Sequence, residues 1–128
     1  GLEDFICLGV IDLIIEHETV VQVIDFKSNN IPESRLNSEA EKYVHQMNLY
    51  ALAASRLYPD KEIHVILSFI RHPDHPIERV ISKEDIHQIE NDLISTVRDI
   101  RNGVYPPNTT HCGNCIFAEN GRSCIRNR

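Results

Sequence analysis

Runs of Val, Ile, Leu and Phe alternate with other residues on both sides of Glu16-His17-Glu18-Thr19. This period of two predicts an antiparallel hairpin with arms at 5–16 and 20–27. A turn centred between Glu18 and Thr19 sets Asp12 opposite Asp25, with β-carbons about 5 Å apart. Lys27 then lies two residues on, on the same face. Ser28-Asn29-Asn30-Ile31-Pro32 reads as a loop, and Ser38 as the cap of a helix from Glu39 to Tyr58 that ends at Pro59-Asp60. Val44, Met47, Ala51, Ala54 and Tyr58 recur at helical spacing as its core stripe, beside a second stripe of Tyr43, Gln46 and Tyr50. Residues 62–71 alternate as a third strand with both faces covered, and 72–76 form a loop. Ser82-Lys83-Glu84-Asp85 caps a second helix, with Ile86, Ile89, Leu93, Val97 and Ile100 facing inward until Asn102-Gly103. Strand, strand, helix, strand, helix is the order of an α/β fold, a small mixed sheet with helices on its faces.

A chain of 128 residues that is 41% hydrophobic and 25% charged has material for one core. That core is expected over residues 1–105, followed by a cysteine-containing tail over 106–128. The net charge of −6 argues against gripping nucleic acid by bulk electrostatics, although Arg98, Arg101, Arg122, Arg126 and Arg128 collect in the last third. No apolar run approaches the roughly 18 residues that a membrane-spanning helix needs, and no signal peptide precedes the first strand. The expectation is a cytoplasmic protein with no membrane partner. A start at Gly1, almost directly into a strand, suggests a piece of a longer polypeptide.

Two groups of residues carry candidate chemistry. Asp12, Asp25 and Lys27 interrupt strands that otherwise read as apolar, and two carboxylates held that close destabilise a sheet unless a cation lies between them. A divalent ion and the Lys27 ammonium answer that need. The plainer alternative is that these charges mark the solvent face of a half-exposed hairpin. In the tail, Cys112-x2-Cys115 followed by Cys124 has metal-ligand spacing, suited to zinc or an iron–sulfur cluster, with a disulfide or unligated thiols as the alternative. Three thiolates leave such a centre one ligand short. His111 is too near Cys112 to reach the same ion, and Cys7, of opposite strand parity to Asp12, reads as a buried hydrophobic thiol. The fourth ligand is therefore expected upstream of Gly1.

Gly9-Val10-Ile11-Asp12, Val23-Ile24-Asp25-Phe26-Lys27-Ser28 and Gln46-x3-Tyr50, in this order, resemble successive motifs of the RecB-like branch of the PD-(D/E)XK nucleases. Cys112, Cys115 and Cys124 are similar to the C-terminal part of the iron–sulfur staple in AddB-type members. The resemblance implies a restriction-endonuclease-like fold and a Mg²⁺-dependent deoxyribonuclease, expected to act as an exonuclease within a helicase–nuclease or repair machine. It implies that Asp12, Asp25 and the Phe26 carbonyl bind Mg²⁺ or Mn²⁺, and that Lys27 orients the attacking water. Gln46 and Tyr50 would reach the site or the DNA backbone from one helix face. The cysteines would hold a [4Fe-4S] cluster, with Zn²⁺ as the alternative, and a fused or associated helicase would supply DNA affinity. The family's first helix and strand, which bring a further His or Glu near the metal, have no counterpart here. The core is thus expected to be N-terminally truncated, with its own catalysis in question. Two other readings stand beside the nuclease: an inactive DNA-binding or structural module of the same fold, and a zinc-binding interaction domain with an incidental acidic pair.

Overall fold

The computed structural model describes residues 6–104 and 106, together with the backbone of Ala118–Glu119 and Ser123–Cys124. The chain divides into two compact units, Gly1–Ser95 and Thr96–Arg128. The first contains a four-stranded mixed sheet in spatial order β1-β2-β3-β4, formed by Leu13–Glu16, Val20–Lys27, Glu62–Phe69 and Ile77–Ile81. β1 and β2 are the hairpin, paired Leu13↔Ile24 through Glu16↔Val21, and the His17 N–H donates to the Val20 carbonyl at 2.8 Å. This is the register that a turn at Glu18-Thr19 predicts. β2 then runs parallel to β3, from Val20↔Glu62 to Lys27↔Phe69, and β4 closes the other edge antiparallel to β3. A parallel neighbour requires a crossover, and the helical segment 33–57 supplies it.

Odd-numbered residues of β2 and β3 point into the core. Val21, Val23, Val65 and Phe69 are fully buried, with Ile63 and Leu67 close to it, each side chain contributing roughly 1.5–3 kcal/mol of burial. Against them pack Met47, Tyr50, Ala51 and Ala54 from α2 (Val44–Leu57) and Ile89 from α3 (Lys83–Arg101). The even-numbered positions of both strands are only half-buried or exposed, so neither strand is covered on both faces as their apolar runs suggest.

Other expectations are corrected. The first strand does not extend over 5–16: residues 6–11 form no regular element, Asp12 is a bend, and Cys7 is an exposed free thiol, not a buried one. The helical segment starts earlier than Ser38, with a 3-10 turn at Glu33–Arg35 after Pro32, then α1 (Leu36–Ala40), a second 3-10 turn at Glu41–Tyr43, and α2. Ser38 is inside α1, and its hydroxyl donates back to the Arg35 carbonyl at 3.0 Å instead of capping. β4 was not anticipated. Its sequence, Ile77-Glu78-Arg79-Val80-Ile81, is a short edge strand with charged outward positions.

Ser82 and Asp85 form a reciprocal cap ahead of α3: the Asp85 N–H donates to Ser82 Oγ at 3.0 Å and the Ser82 N–H to Asp85 Oδ2 at 2.8 Å. These bonds from Ser82 hold the Asp85 carboxyl below its ordinary range. Of the apolar positions expected to face inward from α3, Ile89 is buried and Ile86 and Leu93 pack on the core, whereas Ile100 is half exposed. No described helix is long and apolar enough to cross a membrane. In the second unit, the Gly103 N–H bonds the Ile100 carbonyl at 3.1 Å with φ at 71°, a left-handed helix end suited to glycine. There too, β5 (Ala118–Glu119) pairs antiparallel with β6 (Ser123–Cys124).

On the outer sheet face His64 is clasped by two carboxylates, Glu62 at 2.5 Å from Nε2 and Glu78 at 2.7 Å from Nδ1. The bond to Glu62, followed by that to Glu78, raises the imidazole pKa. A raised folded-state pKa gives a stabilisation that is complete below the unfolded value of about 6.5 and lost as pH rises through the folded value. Urea unfolding at successive pH values above about 6 should show stability falling in the wild type and a flatter profile for His64→Gln. Identical profiles would show that the clasp contributes nothing.

Candidate active site

The paired rows of the hairpin end at Leu13↔Ile24, one residue short of Asp12 and Asp25. Asp12 precedes β1 and is exposed. Its Oδ2 accepts the Phe26 backbone N–H at 2.9 Å, a charge-assisted bond that ties the entry of β1 to β2. Asp25 is 3% exposed, on the core face of a strand with neighbours on both sides. Two residues along a strand restore the same face, so Lys27 emerges beside it, with Nζ 2.7 Å from Asp25 Oδ2. That enclosed oxygen receives no well-directed hydrogen bond from the described residues, so its compensation is the ion pair.

From Lys27 a chain of hydrogen bonds crosses α2 and returns to the start of the hairpin. Nζ donates to Gln46 Oε1 at 2.9 Å, Gln46 Nε2 donates to the Tyr50 hydroxyl at 3.0 Å, and that hydroxyl donates to the Val10 carbonyl at 2.6 Å. The chemistry fixes the directions. An ammonium can only donate, so the Gln46 carbonyl must face it, leaving the amide NH₂ for Tyr50. Gln46 and Tyr50, four residues apart, share one face of α2. Tyr50 thereby holds the backbone two residues before Asp12. Beside Gln46 and Tyr50 lies a cleft of about 570 Å³, lined mainly by apolar groups including Leu8, Ile11 and Leu49.

A second set of contacts also reaches Lys27. The ammonium sits 4.2 Å from the centre of the Tyr43 ring. Asn29 Nδ2 donates to the Tyr43 hydroxyl at 2.8 Å and to Glu39 Oε1 at 3.0 Å, while Lys42 Nζ pairs with Glu39 Oε2 at 2.7 Å. The hydrogen bond from Lys42 is the main reason that the Glu39 carboxyl lies below its ordinary range. Asn29 and Glu39 were not among the candidates read from the sequence. The signal was present: Glu39, Tyr43, Gln46 and Tyr50 stand at i, i+4, i+7 and i+11, a polar stripe beside the apolar one.

The structure thus joins Asp25, Lys27, Gln46 and Tyr50 by direct side-chain contacts and ties Asp12 to the backbone of Phe26. Cys112 and Cys115 lie outside the described residues, and of Cys124 only the backbone is described. Among the described residues no group of three or more His, Cys, Asp and Glu side chains could hold a metal. Two carboxylates with neighbouring backbone carbonyls are nonetheless an all-oxygen donor set, and Mg²⁺ is commonly held by one or two carboxylates while keeping several waters. The enclosed Asp25 Oδ2, which faces the Lys27 ammonium at 2.7 Å, is an oxygen placed to meet a cation and fits such an ion.

Two further findings come from comparison with known proteins. A family model described as the PD-(D/E)XK nuclease superfamily matches residues 4–120. Searches of curated proteins and of solved structures returned no match.

Lys27→Met should leave Asp25 buried without its partner and cost about 3 kcal/mol, the scale for breaking a buried ion pair. Tyr50→Phe should cost about 1 kcal/mol by leaving the Val10 carbonyl unpaired. Chemical denaturation of both variants reads these values. A neutral Lys27→Met would mean that the pair is solvated and the site open.

Proposed function

Because the chain belongs to the PD-(D/E)XK nuclease superfamily, we propose that it hydrolyses DNA phosphodiester bonds at the site of Asp12, Asp25 and Lys27. Nucleases of this superfamily generally use divalent metals such as Mg²⁺. The observation that carries the assignment is Asp25: an acid buried on the core face of the sheet and paired through Oδ2 with Lys27, two residues on. Asp12, Asp25 and the Phe26 carbonyl would hold the metal. When bound, it would activate water and offset charge on the phosphate.

The other steps belong to the chain's own groups. The Asp12 carboxylate is oriented by the Phe26 N–H, so its second oxygen has a defined direction. Lys27 supplies a fixed positive charge beside the reacting phosphate, where preorganisation makes electrostatic stabilisation effective. Gln46 holds that ammonium through Oε1 and is itself held by Tyr50. Among the described residues no group of three or more acidic, His or Cys side chains could hold a metal, which supports a second reading, a nuclease-fold module that binds DNA without cutting it. The net charge of −6 supports a fused or associated helicase as the source of DNA affinity. The spacing of Cys112, Cys115 and Cys124 supports a thiolate-held [4Fe-4S] cluster or Zn²⁺, between which iron and zinc analysis decides.

Incubated with linear single- or double-stranded DNA, the protein should cleave in Mg²⁺, stop in EDTA and resume when Mg²⁺ is restored. Asp12→Asn and Asp25→Asn should each lower kcat by at least about a hundredfold, as removal of a transition-state contact does, with circular dichroism unchanged. Cleavage by both variants at the wild-type rate, with contaminating nuclease excluded, would refute the mechanism. A folded wild type that binds DNA and never cuts it would select the second reading.

A further inference from the structure

We propose that Tyr43 is a positioning residue that keeps the Lys27 ammonium in place when a divalent cation occupies the Asp25 carboxylate, and that Asn29 and Glu39 lock its ring for that purpose. This inference rests on the reading of Asp25 as a metal ligand. Lys27 is held by Asp25 at 2.7 Å, by Gln46 at 2.9 Å and by the Tyr43 ring face at 4.2 Å. A cation on Asp25 competes for the very oxygen that anchors the ammonium and repels the ammonium as a like charge. One of the three restraints is then weakened, and the flexible four-carbon stem of a lysine has little stiffness of its own. The Gln46 carbonyl and the Tyr43 ring remain. A ring face attracts an ammonium through its quadrupole without carrying a net charge, so the arriving cation does not draw it away as it would a carboxylate.

The ring can serve in this way only if its plane is fixed. Tyr43 lies in the 3-10 turn between α1 and α2, at φ −104° and ψ 4°, outside the regular helix that holds Gln46. Asn29 supplies the missing restraint, since a single amide nitrogen donates both to the Tyr43 hydroxyl and to Glu39. Glu39 is 8% exposed, and its second oxygen is paired with Lys42, so the anchor is a buried carboxylate with both oxygens engaged. Asn29 follows Lys27 by two residues, directly after the end of β2. The strand that delivers the ammonium therefore also delivers the group that orients its ring. Tyr43 also packs against the core, but apolar packing does not call for the bond from Asn29 to its hydroxyl, and Asn29 and Glu39 bury polar atoms at a desolvation cost.

The test uses NMR of the folded protein and steady-state cleavage. The Lys27 ε-methylene protons should be shifted upfield by the Tyr43 ring, and should remain so as Mg²⁺ is added to saturation, while signals near Asp25 move. Tyr43→Phe keeps the ring face but loses the hydroxyl that Asn29 holds, so it should keep a reduced upfield shift and a kcat between those of wild type and Tyr43→Leu. Tyr43→Leu should lose the shift and lower kcat about tenfold, the scale of a partly desolvated cation–π contact, with KM for DNA changed less than about twofold. Asn29→Ala, which frees the same hydroxyl, should behave like Tyr43→Phe, and it keeps the test available if Tyr43→Leu does not fold. Loss of the upfield shift on Mg²⁺ addition, its absence in the wild type, or a Tyr43→Leu variant with wild-type kcat would overturn the proposal. So would a protein whose signals near Asp25 do not respond to Mg²⁺. A wild type that binds Mg²⁺, retains the shift and cuts no DNA would sustain the positioning role and refute the nuclease assignment alone.

Discussion

The ion pair between Asp25 and Lys27 is the constraint on which the rest of the site depends. Burying a carboxylate in a sheet is costly, and the attraction of a partner offsets that cost only when geometry and further hydrogen bonds are favourable. Two apolar residues at these positions would extend the run of Val21 and Val23 and pack at least as well. The sheet has accepted a weaker core element in return for a carboxylate and an amine at fixed separation. Because the pair occupies positions i and i+2 of one strand, its geometry is set by the backbone and not by a loop.

Everything around the pair limits where its charges can move. Gln46 and Tyr50 carry the restraint from α2 to the Val10 carbonyl, two residues before Asp12, so the helix, β2 and the segment leading into β1 share one run of hydrogen bonds. Phe26 joins the ends of that run through its amide. Tyr43, Asn29 and Glu39 add a second set of contacts around the ammonium. Networks of this kind stiffen a site when every member has a partner.

Elements whose pattern coincides with their environment were legible in the sequence. The period of two around Glu18-Thr19 predicted the hairpin and its register, and Ser82 and Asp85 announced the start of α3. The order of Asp12, Asp25, Lys27, Gln46 and Tyr50 pointed to a superfamily that the match over residues 4–120 supports. What escaped notice depends on tertiary context. The segment before Asp12 is apolar enough for a strand, yet the Val10 carbonyl is used by Tyr50. β4 is an edge strand too short and too charged to stand out, and it is specified by pairing with β3. Glu39 looked like an ordinary first-turn acid because the helix was expected to begin there. In the structure Pro32 starts the helical segment earlier and carries Glu39 inward. The expected cysteine centre falls on residues that are not described.

The most direct test of the central claim is an anomalous difference map from crystals of the protein grown or soaked with Mn²⁺. The account predicts a peak at metal–oxygen bonding distance from the Asp12 and Asp25 carboxylates and the Phe26 carbonyl, with Lys27 still seated between Gln46 and Tyr43. No peak at a saturating Mn²⁺ concentration, with Lys27 still paired to Asp25, would contradict it.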